Sequence, residues 1–67
     1  MVKESASIKE AIQLMLERNV GAVLVERDGN PVGIFTERDV LRRVIRTGID
    51  QERPVEEVMT PDPESLS

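Results

Sequence analysis

The sequence predicts a small α+β domain in the order β-α-β-β-α, with a three-stranded sheet and two helices on one face. Three features predict it: a capped amphipathic helix, two short apolar runs joined by an Asp-Gly turn, and a second helical run beginning at Thr36. The chain has 67 residues, which is enough for one domain. A hydrophobic core of that size is marginally stable alone.

The first elements are a short strand over residues 2–5 and a helix that begins after Ser7. The Ser7 hydroxyl and the Glu10 carboxylate, three residues apart, form a capping box. Asn and Gly tolerate left-handed backbone, so residues 19–21 are expected to end the helix. Apolar residues at helical spacing give it one buried stripe: Ile8, Ala11, Ile12, Met15 and Leu16.

A β-hairpin is predicted next. The run Ala22–Val25 reads as a strand, Asp28-Gly29-Asn30 as a turn, and Pro31–Phe35 as the returning strand. The middle of the hairpin is apolar without clean alternation, which is typical of a sheet covered on both faces. The two helices can cover one face. The other face has no element of this chain to meet, so it predicts a partner.

The second helix is predicted from Thr36 to about Thr47, with Gly48 as its C-terminal glycine. Its apolar side is formed by Val40, Leu41, Val44 and Ile45. A short helical turn is expected to begin at Pro54, a favoured first-turn residue, and to bury Val55, Val58 and Met59. Pro61 and Pro63 then predict an extended tail.

Composition excludes several classes of function. Cysteine and histidine are absent, so thiolate chemistry, zinc clusters and the commonest general base are not available. A net charge of −4 and a single aromatic residue, Phe35, argue against nucleic-acid binding. We therefore predict a cytoplasmic, non-membrane protein that is not an enzyme and holds no cofactor. The carboxylates Glu56, Glu57, Asp62 and Glu64 match no cation cage, which predicts a solvated acidic tail and no metal site.

The candidate functional residues lie in the run from Gly33 to Asp39, where an apolar strand passes into a helix. The Thr36 hydroxyl, the Arg38 guanidinium and the Asp39 carboxylate lie close together there. This set can hold a phosphorylated ribose, with donors for phosphate and an acceptor for sugar hydroxyls. The same threonine and aspartate, three residues apart, also match an ordinary helix cap worth about 1 kcal/mol.

Taken together, the ordered motifs resemble the CBS domain, the regulatory module named after cystathionine β-synthase. The resemblance covers nearly the whole chain. It is carried by Ser7-Ile8-Lys9-Glu10-Ala11, Val20-Gly21-Ala22-Val23-Leu24-Val25, Asp28-Gly29, Gly33-Ile34-Phe35-Thr36-Glu37-Arg38-Asp39, and Val55-Glu56-Glu57-Val58-Met59-Thr60. The last of these resembles the leader segment that precedes each repeat in the family.

The resemblance implies a single CBS repeat over residues 1–48 and a leader or linker segment over 49–67. Leu66 and Ser67 fall where another repeat would begin. Family members usually carry these repeats in pairs and bind AMP, ADP, ATP or S-adenosylmethionine in the clefts between them. A single repeat is therefore expected to pair with a second repeat or to form a homodimer, in agreement with the partner predicted for the sheet.

The resemblance also assigns expected ligand-binding roles. Gly21, Ala22 and Val23 fall where the family meets adenine, although plain strand packing is the favoured role for Val23. Gly33 is expected to allow a close backbone approach, with a β-bulge or helix packing as its structural alternative. Val2, Lys3, Met59 and Thr60 are expected to border the same cleft.

At the junction, the resemblance gives Thr36 a dual role as helix cap and phosphate contact, and Asp39 the role of ribose acceptor. Arg38 either binds the phosphate or points into solvent. Among the arginines that follow, Arg42 is the best candidate to reach a terminal phosphate, and a solvated helix face is the alternative. The competing function is a dimerisation module that binds no ligand.

Overall fold

The structure, a computed structural model, describes residues 1–61 and has the predicted α+β class. Its sheet has four strands in the order β1-β2-β3-β4. β1 runs parallel to β2, and the other neighbours are antiparallel. The elements are β1 (Val2–Lys3), α1 (Ile8–Arg18), β2 (Ala22–Arg27), β3 (Asn30–Thr36), α2 (Glu37–Asp39) continued by a π-helical segment (Val40–Ile45), a 3₁₀ turn (Val55–Glu57) and β4 (Thr60–Pro61).

Helix α1 begins after Ser7 and ends at Asn19, as predicted, but only the Ser7 half of the predicted capping box forms. The Ser7 hydroxyl accepts a hydrogen bond of 3.1 Å from the Glu10 backbone N–H, which satisfies a free amide of the first turn. Asn19 ends the helix in the left-handed conformation, with φ 53°. Ile8, Ala11 and Met15 are buried, so the predicted apolar stripe faces the core along part of its width.

The hairpin also forms as predicted. Asp28 (φ 53°) and Gly29 (φ 83°) are both left-handed, which matches the right-handed twist of the flanking strands. Val23 pairs with Phe35 on the face that packs against the helix α1. The other face of the hairpin, here called the outer face, carries Leu24 opposite Ile34, and these side chains are 46% and 36% exposed.

The predicted three-stranded sheet is corrected to four strands. β4 is a two-residue strand that pairs with Gly33 and Ile34 of β3. Its sequence shows no periodicity, and Pro61 indicates only extended backbone. Proline is tolerated there because it lies on an edge strand. The pairing depends on a close approach between distant segments, which a sequence pattern does not reveal.

The second helix departs from a regular α-helix over Val40–Ile45. The Arg46 N–H donates to the Leu41 carbonyl, five residues earlier, at 3.2 Å. The predicted second helix is therefore present, and its π-helical winding is a feature that the spacing of the apolar residues does not reveal, because that spacing fits both a regular and a widened helix. Gly48 follows with φ 69° as the predicted C-terminal glycine.

Residues 50–58 close the core against the start of α1. The Arg53 carbonyl accepts from the Ile8 N–H at 2.9 Å, and the Val55 N–H donates to the Ala6 carbonyl at 2.8 Å. The 3₁₀ turn forms directly after Pro54, as predicted. The buried apolar core comprises Ile8, Ala11, Met15, Val23, Val25, Phe35, Val44, Val55 and Val58. The division into residues 1–48 and 49–67 stays a prediction.

Some predictions fall on residues 62–67, namely the extended backbone at Pro63, the acidic tail at Asp62 and Glu64, and the start of a further repeat at Leu66 and Ser67. They lie outside the described part of the chain. Within residues 1–61, no helix combines the length and the apolar character needed to cross a bilayer. The cytoplasmic location stays a prediction.

Candidate functional site

The junction between β3 and α2 forms a complete capping box. The Thr36 hydroxyl accepts from the Asp39 backbone N–H at 3.2 Å, and Asp39 Oδ2 accepts from the Thr36 N–H at 3.0 Å. The predicted helix cap is thereby confirmed. The nucleotide-binding role of the same residues stays a prediction, because a cap and a ligand contact are compatible at one side chain.

Asp39 is a buried carboxylate, 6% exposed, and several donors surround it. Its oxygens accept from the Thr36 hydroxyl at 3.1 Å and from the Thr60 hydroxyl at 3.1 and 3.2 Å. Arg43 Nε lies 3.7 Å from Oδ1. A buried charge without such partners would be strongly destabilising. These contacts therefore hold the carboxylate in a fixed position. We call this group the Asp39 cluster; it comprises Thr36, Asp39, Arg43 and Thr60.

The Asp39 cluster adjoins the outer face of the sheet. Thr36 alternates with buried Phe35 and pairs with Ala22, whereas Thr60 pairs with Ile34. Since no described helix covers Leu24 and Ile34, this face presents threonine hydroxyls and apolar side chains beside the buried Asp39 carboxylate. That combination suits a ligand with a polar sugar and an apolar base.

The arginine that faces the Asp39 carboxylate is Arg43, which the sequence had not singled out. Its Nη1 also donates to the Met59 carbonyl at 2.8 Å. Arg43 therefore links the Asp39 carboxylate to the residue that directly precedes β4. The i,i+4 spacing from Asp39 was the available signal. Arg38 and Arg42, the predicted phosphate contacts, are exposed and form no ion pair with any residue in 1–61.

The predicted adenine contacts begin β2, next to the start of α2. The Gly21 carbonyl accepts from the Glu37 N–H at 3.0 Å, which brings residues 21–22 beside the junction. Ala22 is half-buried opposite Thr36. The Val23 side chain is only 8% exposed and belongs to the core. The Val23 side chain therefore has the packing role that the sequence analysis favoured. Only its backbone can contribute to a binding site at the junction.

Gly33 allows a close approach, and the approaching segment belongs to this chain. A Cβ built on Gly33 would lie 2.8 Å from the Thr60 carbonyl oxygen and 2.7 Å from Met59 Sδ. Real Cβ atoms do not approach backbone oxygens so closely. Gly33 is thus needed for β4 to pair with β3, and through β4 it helps to place the Thr60 hydroxyl beside Asp39.

Gly33→Ala is expected to destabilise the fold by about 1–3 kcal/mol, because the added methyl group must push β4 away from β3. Gly21→Ala is the matched control, since a Cβ there meets only the flexible Glu37 carboxylate at 3.5 Å. Urea unfolding of both variants measures the difference. Equal unfolding midpoints for Gly33→Ala and the wild type would contradict this account of Gly33.

A separate groove of about 500 Å³ lies on the helical side, between the end of α1 and the start of the second helix. Leu16 and Leu41 border it and are 75% and 62% exposed. Thr36, Asp39 and Thr60 are not among its lining residues. This groove is therefore distinct from the Asp39 cluster, although Gly21, a predicted adenine contact, is among its lining residues.

Within residues 1–61, no three acidic side chains come together in an arrangement that could hold a metal ion. The Asp39 carboxylate is engaged by hydroxyl, amide and guanidinium donors. The expected absence of a metal or a cofactor stays a prediction.

The comparison with protein families decides the relationship that the motifs indicated. The model of the CBS domain matches residues 1–46. The chain belongs to the CBS domain family. Among curated CBS-domain proteins, YhcV of Bacillus subtilis is 41% identical over 59 residues, which cover 88% of this chain and 42% of YhcV.

Solved structures, a CBS domain protein among them, share the fold closely. An uncharacterised conserved protein from Pyrococcus horikoshii superposes with a TM-score of 0.85 at 48% identity, covering 91% of this chain and 47% of that one. PAE2072 from Pyrobaculum aerophilum, a CBS domain protein complexed with AMP, has a TM-score of 0.78 at 26% identity. The match covers 90% of this chain and 49% of PAE2072. This CBS chain spans about half the length of these relatives.

Proposed function

We propose that this CBS repeat is part of a non-enzymatic regulatory module that binds an adenosine nucleotide on the outer face of its sheet. The observation that carries the proposal is the buried Asp39 carboxylate, fixed beside the Thr36 hydroxyl at the end of β3. The AMP complex of PAE2072, a relative with the same fold, supports adenosine nucleotides as the ligand class.

Each residue of the proposed site has a chemical role. Asp39 accepts hydrogen bonds from the ribose hydroxyls, and the Thr36 hydroxyl turns toward phosphate. Arg38 and Arg42, both exposed and on the same helix, supply positive charge for phosphate oxygens. Backbone groups of Gly21 and Ala22 lie near the base, with Leu24 offering apolar contact.

The proposed site needs a second repeat as its other wall. The outer face leaves Leu24 and Ile34 46% and 36% exposed. An adenine ring lying on these residues from one side would remain solvated on the other. A second copy of this chain, or another CBS repeat, would cover the base and the apolar face together. Ligand binding would then favour one packing of the two repeats over another.

Titration calorimetry with AMP and CMP tests the ligand class. Both carry a phosphorylated ribose, so a site built for adenosine should bind AMP at least about tenfold more tightly than CMP. Saturable binding of AMP with that preference supports the proposal. A folded protein that binds neither nucleotide would refute it.

The second candidate function is dimerisation without a ligand. It is favoured by three exposed apolar side chains, Leu16, Leu41 and Ile45, of which Leu16 and Leu41 line the groove on the helical side. Sedimentation velocity with and without AMP separates the candidates. A dimer that is indifferent to AMP supports the interaction module, whereas AMP-dependent association supports the nucleotide sensor.

A further inference from the structure

We propose that the Thr60 hydroxyl and the ribose of a bound nucleotide compete for the Asp39 carboxylate, so that nucleotide binding loosens β4. The inference rests on the proposed nucleotide site and adds a coupling between that site and the segment Met59–Pro61. It follows from the number of acceptor positions on one carboxylate and the number of donors that already use them.

A carboxylate offers about four acceptor positions, two on each oxygen. On Asp39, Oδ2 accepts from the Thr36 backbone N–H at 3.0 Å and from the Thr36 hydroxyl at 3.1 Å. The Thr36 hydroxyl also accepts from the Asp39 N–H, which orients its hydrogen toward the carboxylate. These two donors are local to the capping box and fill Oδ2.

The Thr60 hydroxyl therefore donates to Oδ1, which lies 3.1 Å away. Its distance to Oδ2 is 3.2 Å, but a hydroxyl has one hydrogen to give. One position on Oδ1 remains, on a carboxylate that is 6% exposed. A vicinal diol needs two acceptor positions. Both ribose hydroxyls can therefore bind Asp39 only when the Thr60 hydroxyl leaves it.

Thr60 is the donor that can leave at the smallest cost. It is exposed, whereas Thr36 is half-buried and held from both sides by the capping box. Thr60 also belongs to a strand of two residues, which pairs with β3 only at Gly33 and Ile34. Losing the Asp39 contact removes one of the few interactions that hold this strand.

Arg43 extends the coupling to the residue before β4. It lies 3.7 Å from Asp39 Oδ1 and donates to the Met59 carbonyl at 2.8 Å. A ribose hydroxyl that takes the remaining position on Oδ1 would approach the same guanidinium. Arg43 is therefore a positioning residue that links the carboxylate to Met59–Pro61, and rearrangement at Asp39 is transmitted to that segment.

The test compares AMP with 2′-deoxy-AMP on Thr60→Val, an isosteric change that removes the hydroxyl. Thr60→Val should bind AMP about three- to tenfold more tightly than the wild type, because the competing donor is gone. Its affinity for 2′-deoxy-AMP should stay unchanged, since a single ribose hydroxyl fits the remaining position. Thr60→Ser keeps the hydroxyl and is the control expected to behave as the wild type.

The outcomes separate the coupling from the nucleotide site. If the wild type binds AMP and Thr60→Val binds it equally or more weakly, the competition is wrong while the nucleotide site stands. An equal gain for AMP and 2′-deoxy-AMP also refutes it, because the gain would not depend on the diol. No saturable AMP binding by either protein, with both folded by circular dichroism, overturns the competition together with the nucleotide site.

Hydrogen exchange gives an independent readout of β4. Saturating AMP should raise the exchange rate of the residue 60 amide in the wild type by about threefold or more, since β4 loses its contact with Asp39. In Thr60→Val the exchange of this amide should already be fast and should change little with AMP. Slower exchange of the residue 60 amide in AMP-bound wild type would contradict the proposed loosening.

Discussion

Asp39→Asn is expected to weaken AMP binding by about 100-fold while the domain remains folded. The amide offers one oxygen acceptor where the carboxylate offers two, and it carries no charge. Hydrogen bonds to a charged group contribute about 1.5–3 kcal/mol each, so losing two of them accounts for a factor of about 100 or more. The Thr36 hydroxyl still accepts from the backbone N–H of residue 39, which preserves the helix cap.

Asp28→Asn is the matched control for this variant. It makes the same chemical change at an exposed turn position with φ 53°, a conformation that asparagine tolerates. Calorimetry should give unchanged AMP affinity for Asp28→Asn. The wild type should prefer AMP over 2′-deoxy-AMP by about fivefold, and Asp39→Asn should lose that preference. A folded Asp39→Asn protein with wild-type AMP affinity would refute the proposed role of Asp39.

Phe35→Ala is expected to have the largest effect on stability, about 3–5 kcal/mol. Phe35 is fully buried and pairs with Val23 in the centre of the core. The free energy of unfolding of a domain this small is of the same order. The variant should therefore be largely unfolded at room temperature, as judged by circular dichroism and urea unfolding.

Ile34→Ala is the control for the core variant, because Ile34 is the adjacent residue of β3 and lies on the outer face. It is 36% exposed, so the free energy of unfolding of the monomer should fall by about 1 kcal/mol or less. The contrast between neighbours tests which face of β3 is the core. Similar unfolding midpoints for Phe35→Ala and Ile34→Ala would contradict the observed register.

The elements that the sequence predicted well are those that local chemistry specifies. The α1 cap at Ser7, its end at Asn19 and the turn at Asp28-Gly29 each depend on residues within a few positions of one another. The Thr36–Asp39 capping box is of the same kind. These features required no knowledge of the rest of the chain.

The features that the sequence missed depend on contacts between distant segments. β4 can pair with β3 because Gly33 has no Cβ to clash with the Thr60 carbonyl. The spacing of apolar residues in the sequence does not predict this contact. The π-helical winding of Val40–Ile45 leaves the same apolar spacing as a regular helix. The sequence does not single out Arg43, because it offers the arginines of the second helix as phosphate contacts, for which Arg42 is the best candidate. The contact of Arg43 with the Met59 carbonyl depends on the tertiary fold.

The sequence by itself determined the α+β class, the capped helix and hairpin, and the identity of the threonine and aspartate at their junction. Those results follow from periodicity and from hydrogen bonds that span a few residues. Only the tertiary structure decided what the Asp39 carboxylate contacts. Thr60 lies twenty-one residues away along the chain, and folding must bring β4 beside β3 before its hydroxyl can donate to that carboxylate.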